Sequence, residues 1–306
     1  MAGAQGPWAP ATNALLLRHE ALAGPAVVGG PGAVVAALVA ASKERGATLR
    51  TGCEVAAIRF RQGRAIGVTL ASGEEHDADR VLVTADPRHA LLEWVPAAAC
   101  PPETARRLVR YRSRGSTAVV HLALGAPLRF AGRPDLAVAR AVTGEGLDDL
   151  ERSFDPVKYG RDAERPFLDV HVPTVANPEL APAGHAVVTV LAHGFGGEAS
   201  ADEVGDRVVA TLDEVAPGTA SSVVARQVLR PVELARRHGS GGGHLFHGDH
   251  GLDQLLARPV PECAGYRTPW PGLWLGGSGS WPGGGITGLP GRLAARALLA
   301  ARGAEK

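Results

Sequence analysis

The sequence predicts a mixed α/β (α+β) fold, with an antiparallel-sheet domain inserted into a first domain that is built from both ends of the chain. Two short apolar runs, residues 80–85 and 273–275, have the continuous pattern of buried strands. Between them, apolar runs alternate with loops rich in Pro, Gly and Asp, which is typical of antiparallel strands: residues 116–124, 166–172, 185–192 and 221–229. An amphipathic helix is expected over residues 201–215.

The two ends of the chain therefore flank an inserted middle. We assign residues 1–99 and 237–306 to a discontinuous first domain, and residues 100–236 to a second domain with helices packed on one side of its sheet.

Composition excludes several classes of function. The 306 residues are 45% apolar and 21% charged with a net charge of +1, which indicates a globular protein. Because no basic block is present, we expect no nucleic-acid partner. No apolar run is long enough to span a bilayer. The three cysteines form no CxxC pair, so we expect a reducing, cytoplasmic location and no zinc ribbon.

The N-terminal part contains one glycine pattern that superficially resembles a dinucleotide-binding fingerprint. Residues 1–25 are expected to be irregular. Residues 26–47 begin with glycines spaced like a dinucleotide-binding fingerprint, but Val35 stands where the third glycine belongs and no acidic residue follows at the right distance. We reject a pyrophosphate loop here and predict an amphipathic helix that ends at Gly46.

The next elements are strands and a short helix. Residues 48–70 predict strands with a turn at Gly63. The buried strand at residues 80–85 is stopped by Asp86-Pro87, and a helix follows at about residues 103–111.

The closing stretch, residues 273–300, predicts a buried strand, a glycine-rich loop and a helix that starts near Thr287. Six glycines fall between Gly276 and Gly285. Two interpretations remain open at this point. The loop could be a tight turn that packs the helix on the strand, or a site where free N–H groups and the helix dipole bind an anion or a polarised carbonyl.

Other polar groups are weaker candidates. His244, His247, His250 and Asp249 lie within seven residues, but the spacing is not HExxH and the glycine-rich loop offers no rigid helix face, so we expect no metal. The nucleophile motif GxSxG and the phosphate-binding P-loop are both absent. No catalytic acid or base can be assigned, and His247 is the only one we would name.

The tail of this chain, GLWLGGSGSWPGGGITGLPGRLAARALL, resembles the C-terminal flavin-binding segment of phytoene-desaturase-like FAD oxidoreductases. The branch of pyridine nucleotide-disulphide oxidoreductase domain-containing proteins is similar in the order of FHG, LDQL, RPVP and YRTP, and also in GGPGAVVAAL, RSRGSTAVVHLAL and KYGRDAERPFLDVHVP. The resemblance covers nearly the whole chain.

The resemblance implies a bound FAD and a hydride transfer from an apolar substrate to the flavin. It places the adenine end of FAD near the strand at Val55 and the isoalloxazine near the glycine loop and the following helix. The residues that it implies for cofactor binding are Val55, Ala85, Asp86, Pro87, Gly277, Ser278, Gly279, Gly284, Gly285, Ile286 and Thr287. Residues 100–235 would cover the flavin with an apolar pocket for a small apolar substrate.

The chain departs from the family pattern in three ways. Gly276 and Trp281 stand where the family usually has Cys and His. The GxGxxG unit that binds the FAD pyrophosphate is also absent, so we expect an incomplete Rossmann-like FAD domain. Its remainder could be lost to a misplaced start or to fragmentation, or it could be carried by a separate chain. The alternatives are a non-catalytic remnant that acts in binding or assembly, and a metal-dependent enzyme built on His244, His247 and His250.

Overall fold

The computed structural model describes residues 27–304, so the expectation for residues 1–25 lies outside the described residues. The longer helices are α1 (Pro31–Glu44), α2 (Pro102–Arg110), α3 (Leu147–Lys158), α4 (Ala201–Val215), α5 (Pro231–His238) and α6 (Leu289–Ala304). The strands are β1 (Val55–Arg61), β2 (Arg64–Leu70), β3 (Glu75–Asp77), β4 (Val81–Val83), β5 (Thr117–Leu124), β6 (Arg140–Val142), β7 (Phe167–His171), β8 (Ala186–His193), β9 (Val223–Leu229) and β10 (Leu273–Leu275).

Helix α1 confirms the helix predicted after the glycine pattern. Gly46 has φ +80 and donates its N–H to Lys43 O, while Ala47 donates to Ser42 O, which is the Schellman arrangement. A residue without Cβ is needed there because the left-handed conformation is costly for other residues. No side chain of α1 is buried among the described residues.

Strands β1 to β3 form an antiparallel sheet. The predicted turn is confirmed: Gln62 and Gly63 both have positive φ, 49 and 76, as a two-residue hairpin turn of the primed type requires. Strand β3 was not predicted, because its three residues, Glu-His-Asp, carry no apolar alternation.

Strands β4 and β10 pair in parallel, with Val81 opposite Leu273 and Val83 opposite Leu275. Both strands were predicted, and their side chains on one face enter an apolar core that also contains Ile58 of β1. Leu82, on the other face, is 37% exposed. Burial throughout residues 80–85 was therefore a wrong expectation, because β10 is the only neighbour of β4 in the described part of the chain and the second face is not covered there.

The second core is built on a five-stranded sheet with the order β6-β7-β8-β5-β9, in which every pair is antiparallel. One face of the sheet packs against α4 through Val204, Val208 and Leu212. The helix at 201–215 is confirmed, and a capping box between Ser200 and Glu203 starts it.

Helices α3 and α5 were missed by the sequence analysis. Helix α3 contains Pro156 near its end, and α5 starts at Pro231, directly after a strand. Proline is normally a signal for a loop, which hid both helices. The limits of the two domains stay a prediction. Over residues 27–304, no helix combines the length and the apolar character needed to cross a bilayer.

Candidate functional site

The parallel pairing of β4 and β10 brings two polar segments together. Because parallel strands end at the same edge of a sheet, Ala85-Asp86-Pro87 after β4 and Gly277-Ser278-Gly279 after β10 meet there. Gly276 donates its N–H to Val83 O at 2.8 Å, which continues the ladder into the loop. The structure therefore places six of the residues expected at the site around one edge.

The glycines at this edge are required by contacts inside the chain. A Cβ on Gly277, which has φ +74, would lie 2.6 Å from Thr84 O, and a Cβ on Gly279 would overlap the Pro87 ring. A Cβ on Gly284 would overlap the Phe246 ring in the same way. Tight packing thus accounts for these three positions, as one of the two interpretations of the loop proposed.

The outer part of the loop has a different character. The side chain of Ile286 is 94% exposed and its φ is +56, and Thr287 is exposed beside it. Helix α6 starts at Leu289, two residues later than expected, and Thr287 Oγ1 accepts the Leu289 N–H at 3.2 Å. Gly285 to Thr287 therefore form an accessible backbone segment just before the positive end of a sixteen-residue helix.

Asp86 is the most unusual side chain at this edge. It is fully buried, and its Oδ1 accepts the His89 N–H at 3.0 Å. Its Oδ2 has no hydrogen-bond partner among residues 27–304. A Cβ on Gly241 would lie 3.0 Å from Oδ1, so the return loop touches the carboxylate. Buried carboxylate oxygens normally have a donor, which a bound group or a water molecule can supply.

The return loop, residues 239–251, is organised around His244. Its Nδ1 accepts the N–H groups of Phe246 and Gly248, at 3.1 and 3.2 Å. Nε2 therefore carries the proton and donates to Asp249 Oδ1, at 3.1 Å. Burial lowers the pKa of His244, so the ring stays neutral.

His247, the residue named as a possible acid or base, is fixed by its backbone. Its φ is +54, and Tyr111 donates its O–H to His247 O at 2.9 Å. Burial lowers the pKa of the His247 ring, with the nearby Asp86 carboxylate opposing that shift. Within residues 27–304, Nδ1 of this ring has no hydrogen-bond partner.

Arg258 also stabilises the return loop. The sequence analysis did not identify this residue. It is 1% exposed and donates to the carbonyl oxygens of Phe246, Gly248 and Asp249 at 3.0–3.2 Å. Its guanidinium lies 5.9 Å from the centre of the Tyr111 ring. Burial raises the pKa of Tyr111 to about 12. Arg258 is the first residue of the RPVP motif, and that motif was the signal in the sequence that could have identified it.

The remaining expected residues are placed as follows. Val55 opens β1 and pairs with Leu70, so it belongs to the first sheet rather than to the edge at Asp86. His250 and His244 of the return loop make different contacts. His250 stacks on Phe246 with ring centres 5.2 Å apart, while His244 accepts a hydrogen bond from the loop backbone. In the described part of the chain, no group of three or more His, Cys, Asp or Glu side chains could hold a metal ion.

The model of the family described as "Flavin containing amine oxidoreductase" matches residues 5–299. The chain belongs to the flavin-containing amine oxidoreductase family. The resemblance drawn from the sequence motifs is thereby confirmed at the level of the family.

Relatives within the flavin-containing amine oxidoreductases are similar over most of this chain. Pyridine nucleotide-disulfide oxidoreductase domain-containing protein 2 of Mus musculus is 33% identical over 89% of this chain and 50% of its own length. Hydroxyneurosporene desaturase of Cereibacter sphaeroides is 30% identical over 95% of this chain and 57% of its own length. The chain spans about half the length of the curated relatives that it matches.

Solved structures of the same fold also match. An oxidoreductase from Methanosarcina mazei has a TM-score of 0.56 and 20% identity, over 89% of this chain and 54% of the other. A double mutant of putrescine oxidase has a TM-score of 0.57 and 16% identity over the same shares. At these identities the likeness supports the fold alone.

The described residues fit a flavin in two respects. Asp86 Oδ2 has no donor within residues 27–304, and the hydroxyl groups of a flavin side chain could donate a hydrogen bond to it. The segment from Gly285 to Thr287 offers accessible backbone at the positive end of α6, which suits a carbonyl edge that gains negative charge. The edge formed by β4 and β10 is therefore compatible with the cofactor named in the family description.

Proposed function

We propose that the chain is an FAD-dependent oxidoreductase of the desaturase or dehydrogenase type, which takes a hydride from an apolar substrate. The family match over residues 5–299 carries this proposal. Relatives named as desaturases, at about 30% identity, support the type of reaction. The bound flavin supplies the hydride acceptor.

The residues of this chain would bind and orient the flavin. We propose the isoalloxazine side at Gly277, Ser278, Gly279 and residues 284–287, with Ala85, Asp86 and Pro87 beside it and Val55 toward the adenine end. The positive end of α6 would stabilise negative charge at the adjoining ring edge. Asp86 Oδ2 would accept a hydrogen bond from the flavin, which removes the cost of its burial.

The second sheet supports an apolar substrate. On the face opposite α4, Val119 of β5 lies beside Leu191 of β8 and Leu229 of β9. Neighbours in register share a face, so the three side chains form an apolar strip across three strands. His121 and Thr189 lie on the same face and satisfy each other through a 3.0 Å hydrogen bond. Such a strip suits a small apolar substrate.

A further part of the proposal concerns the pyrophosphate half of FAD. We propose that a polypeptide segment other than residues 27–304 supplies it, for example a separate chain that carries the GxGxxG unit. Two observations support this: the chain spans about half the length of its relatives, and β4 and β10 form a parallel sheet of two strands in the described chain. Parallel sheets are usually wider and covered on both faces.

The decisive experiment is a titration of the purified chain with FAD, followed by gel filtration and a visible spectrum. We expect flavin absorbance to elute with the protein, with Asp86→Ala weakening retention and Asp79→Ala, an exposed control, leaving it unchanged. If the chain alone retains no flavin, the titration is repeated with a co-expressed GxGxxG unit from a relative. Absence of flavin in both experiments would contradict the proposal.

A non-catalytic role in binding or assembly is the second candidate. Helix α1 has no buried side chain within the described residues, and Leu82 is partly exposed on the sheet, which favours a surface for association. A chain that binds the co-expressed unit tightly but never retains flavin would support this role over catalysis.

A further inference from the structure

A cleft lies beside the segment 110–114, in which Arg112 and Arg114 are exposed. It has a volume of about 360 Å³, and four arginines from two segments line it: Arg88, Arg110, Arg112 and Arg114. Among residues 27–304, Asp249 is the only acidic residue in its lining. We call it the arginine cleft.

The positive charge of the arginine cleft is only partly balanced. Arg112 donates to both oxygens of Asp253, at 2.8 and 2.7 Å, and to Asp249. Arg114 donates to Gly196 O, which carries no formal charge. Neither Arg88 nor Arg110 has an ion pair or a side-chain hydrogen bond with any residue from 27 to 304. Three of the arginines that line the cleft therefore have no carboxylate partner in the part of the chain that the structure describes.

A second observation also indicates a missing partner. Ser113 lines the same cleft and is 2% exposed, yet its hydroxyl has no hydrogen-bond partner in the described chain. Buried hydroxyl groups are normally satisfied, so an orphaned one beside an excess of guanidinium groups indicates a bound group with several acceptor oxygens.

The lining of the arginine cleft also includes three apolar side chains, Val109, Phe154 and Val157. A carboxylate would engage only one guanidinium in a bidentate pair, whereas a phosphoryl group offers three oxygens and a larger charge to several. We propose that the arginine cleft binds a phosphoryl group, with the organic part of the ligand against these apolar side chains. The ligand could be a soluble phosphate ester or a phospholipid headgroup.

Isothermal titration calorimetry of the full chain with inorganic pyrophosphate, without flavin, tests the proposal. We expect binding that weakens as NaCl is raised, and a loss of at least about tenfold in affinity for the double variant Arg88→Gln/Arg110→Gln. Arg106→Gln is the matched control, because Arg106 lies on α2, pairs with Glu103 and is absent from the lining of the cleft. Its affinity should equal that of the wild type.

Three results would overturn the proposal: no binding by the wild type, equal binding by the double variant, or an equal loss in Arg106→Gln. Displacement of pyrophosphate by FAD would contradict the claim that the arginine cleft is separate from the flavin site. Because the titration contains no flavin, a failure of pyrophosphate binding does not bear on the proposed function, which has its own test.

Sedimentation of the chain with phosphatidylglycerol or phosphatidylcholine vesicles then distinguishes a phospholipid headgroup from a soluble phosphate ester. Retention on phosphatidylglycerol that depends on Arg88 and Arg110 identifies a lipid headgroup, and no retention identifies a soluble ester.

Discussion

At the scale of single residues, buried polar groups determine the shape of the return loop. His244 accepts two backbone N–H groups and Arg258 donates to three backbone carbonyl oxygens, so side chains satisfy five of the backbone groups in the loop 239–251. Each group is nearly inaccessible to solvent, and its loss could not be compensated by water.

Replacing Arg258 by Met should destabilise the protein by about 3 kcal/mol or more, because three buried carbonyl oxygens would lose a donor. Urea unfolding followed by circular dichroism measures the change. Arg236→Met, an exposed position on α5, is the control and should lie within about 0.5 kcal/mol of the wild type. Equal stability of the two variants would show that Arg258 does not hold the loop.

Acidification should destabilise the protein through His244. Burial lowers its pKa in the folded state, so below the usual value of about 6.5 the unfolded chain binds a proton that the folded chain does not. The contribution is therefore complete above pH 6.5 and is lost as the pH falls, by up to about 1.4 kcal/mol per pH unit.

Urea unfolding at pH 7.5, 6.5 and 5.5 tests this dependence. The wild type should lose stability between pH 6.5 and 5.5, and His244→Gln should show a smaller slope although it is less stable overall. An unchanged slope in the variant would assign the pH dependence to other groups.

At the scale of elements, the segment from β10 to α6 combines two requirements. Its first glycines pack against the chain after β4, while residues 285–287 remain accessible before the helix. Packing is therefore confirmed at Gly277 and Gly279. The segment beyond Gly285 is accessible, and the binding of an anion or a polarised carbonyl there stays a prediction.

Gly277→Ala should destabilise the protein by about 2 kcal/mol, because the new Cβ would approach Thr84 O to 2.6 Å in a left-handed backbone conformation. Gly291→Ala is the matched control. It lies in α6, where no described residue beyond the adjacent helix backbone comes within 4 Å of an added Cβ, and we expect the change to stabilise the helix by about 0.5–1 kcal/mol. Thermal unfolding of both variants measures the difference, and a stable Gly277→Ala would exclude the packing role.

At the scale of the whole molecule, apolar surface is left exposed on α1. Val34, Val35, Leu38 and Val39 are each at least 36% exposed, and no residue of the helix is buried in the described chain. Contiguous apolar patches on a protein usually mark a place where another polypeptide packs. This surface is consistent with the proposed additional FAD-binding segment.

The double variant Val35→Lys/Leu38→Lys should reduce both the binding of a hydrophobic dye and the concentration-dependent association of the purified chain. Dye fluorescence and analytical ultracentrifugation measure these properties. Leu256→Lys, at a position that is 73% exposed outside α1, is the control and should change neither. Equal dye binding by the double variant and the wild type would mean that another part of the chain covers α1.

The sequence by itself determined the elements whose burial pattern is local. Helix α4, the hairpin of β1 and β2, and four of the five strands of the second sheet follow from the spacing of apolar residues and from capping and turn residues within each segment. The three-residue strand β6 was not predicted. Proline hid α3 and α5, where tertiary packing outweighs the local signal.

Only the tertiary structure decided which side chains meet. Tyr111 bonds to His247 across 136 residues, Arg112 pairs with Asp253 across 141, and the return loop reaches Asp86 through Gly241. The motifs drew attention to the loop at 244–250 and to Asp86, but not to Arg258 or to the arginine cleft. The physical reason is that such contacts depend on how the two cores pack together, and no periodicity within a single segment encodes that arrangement.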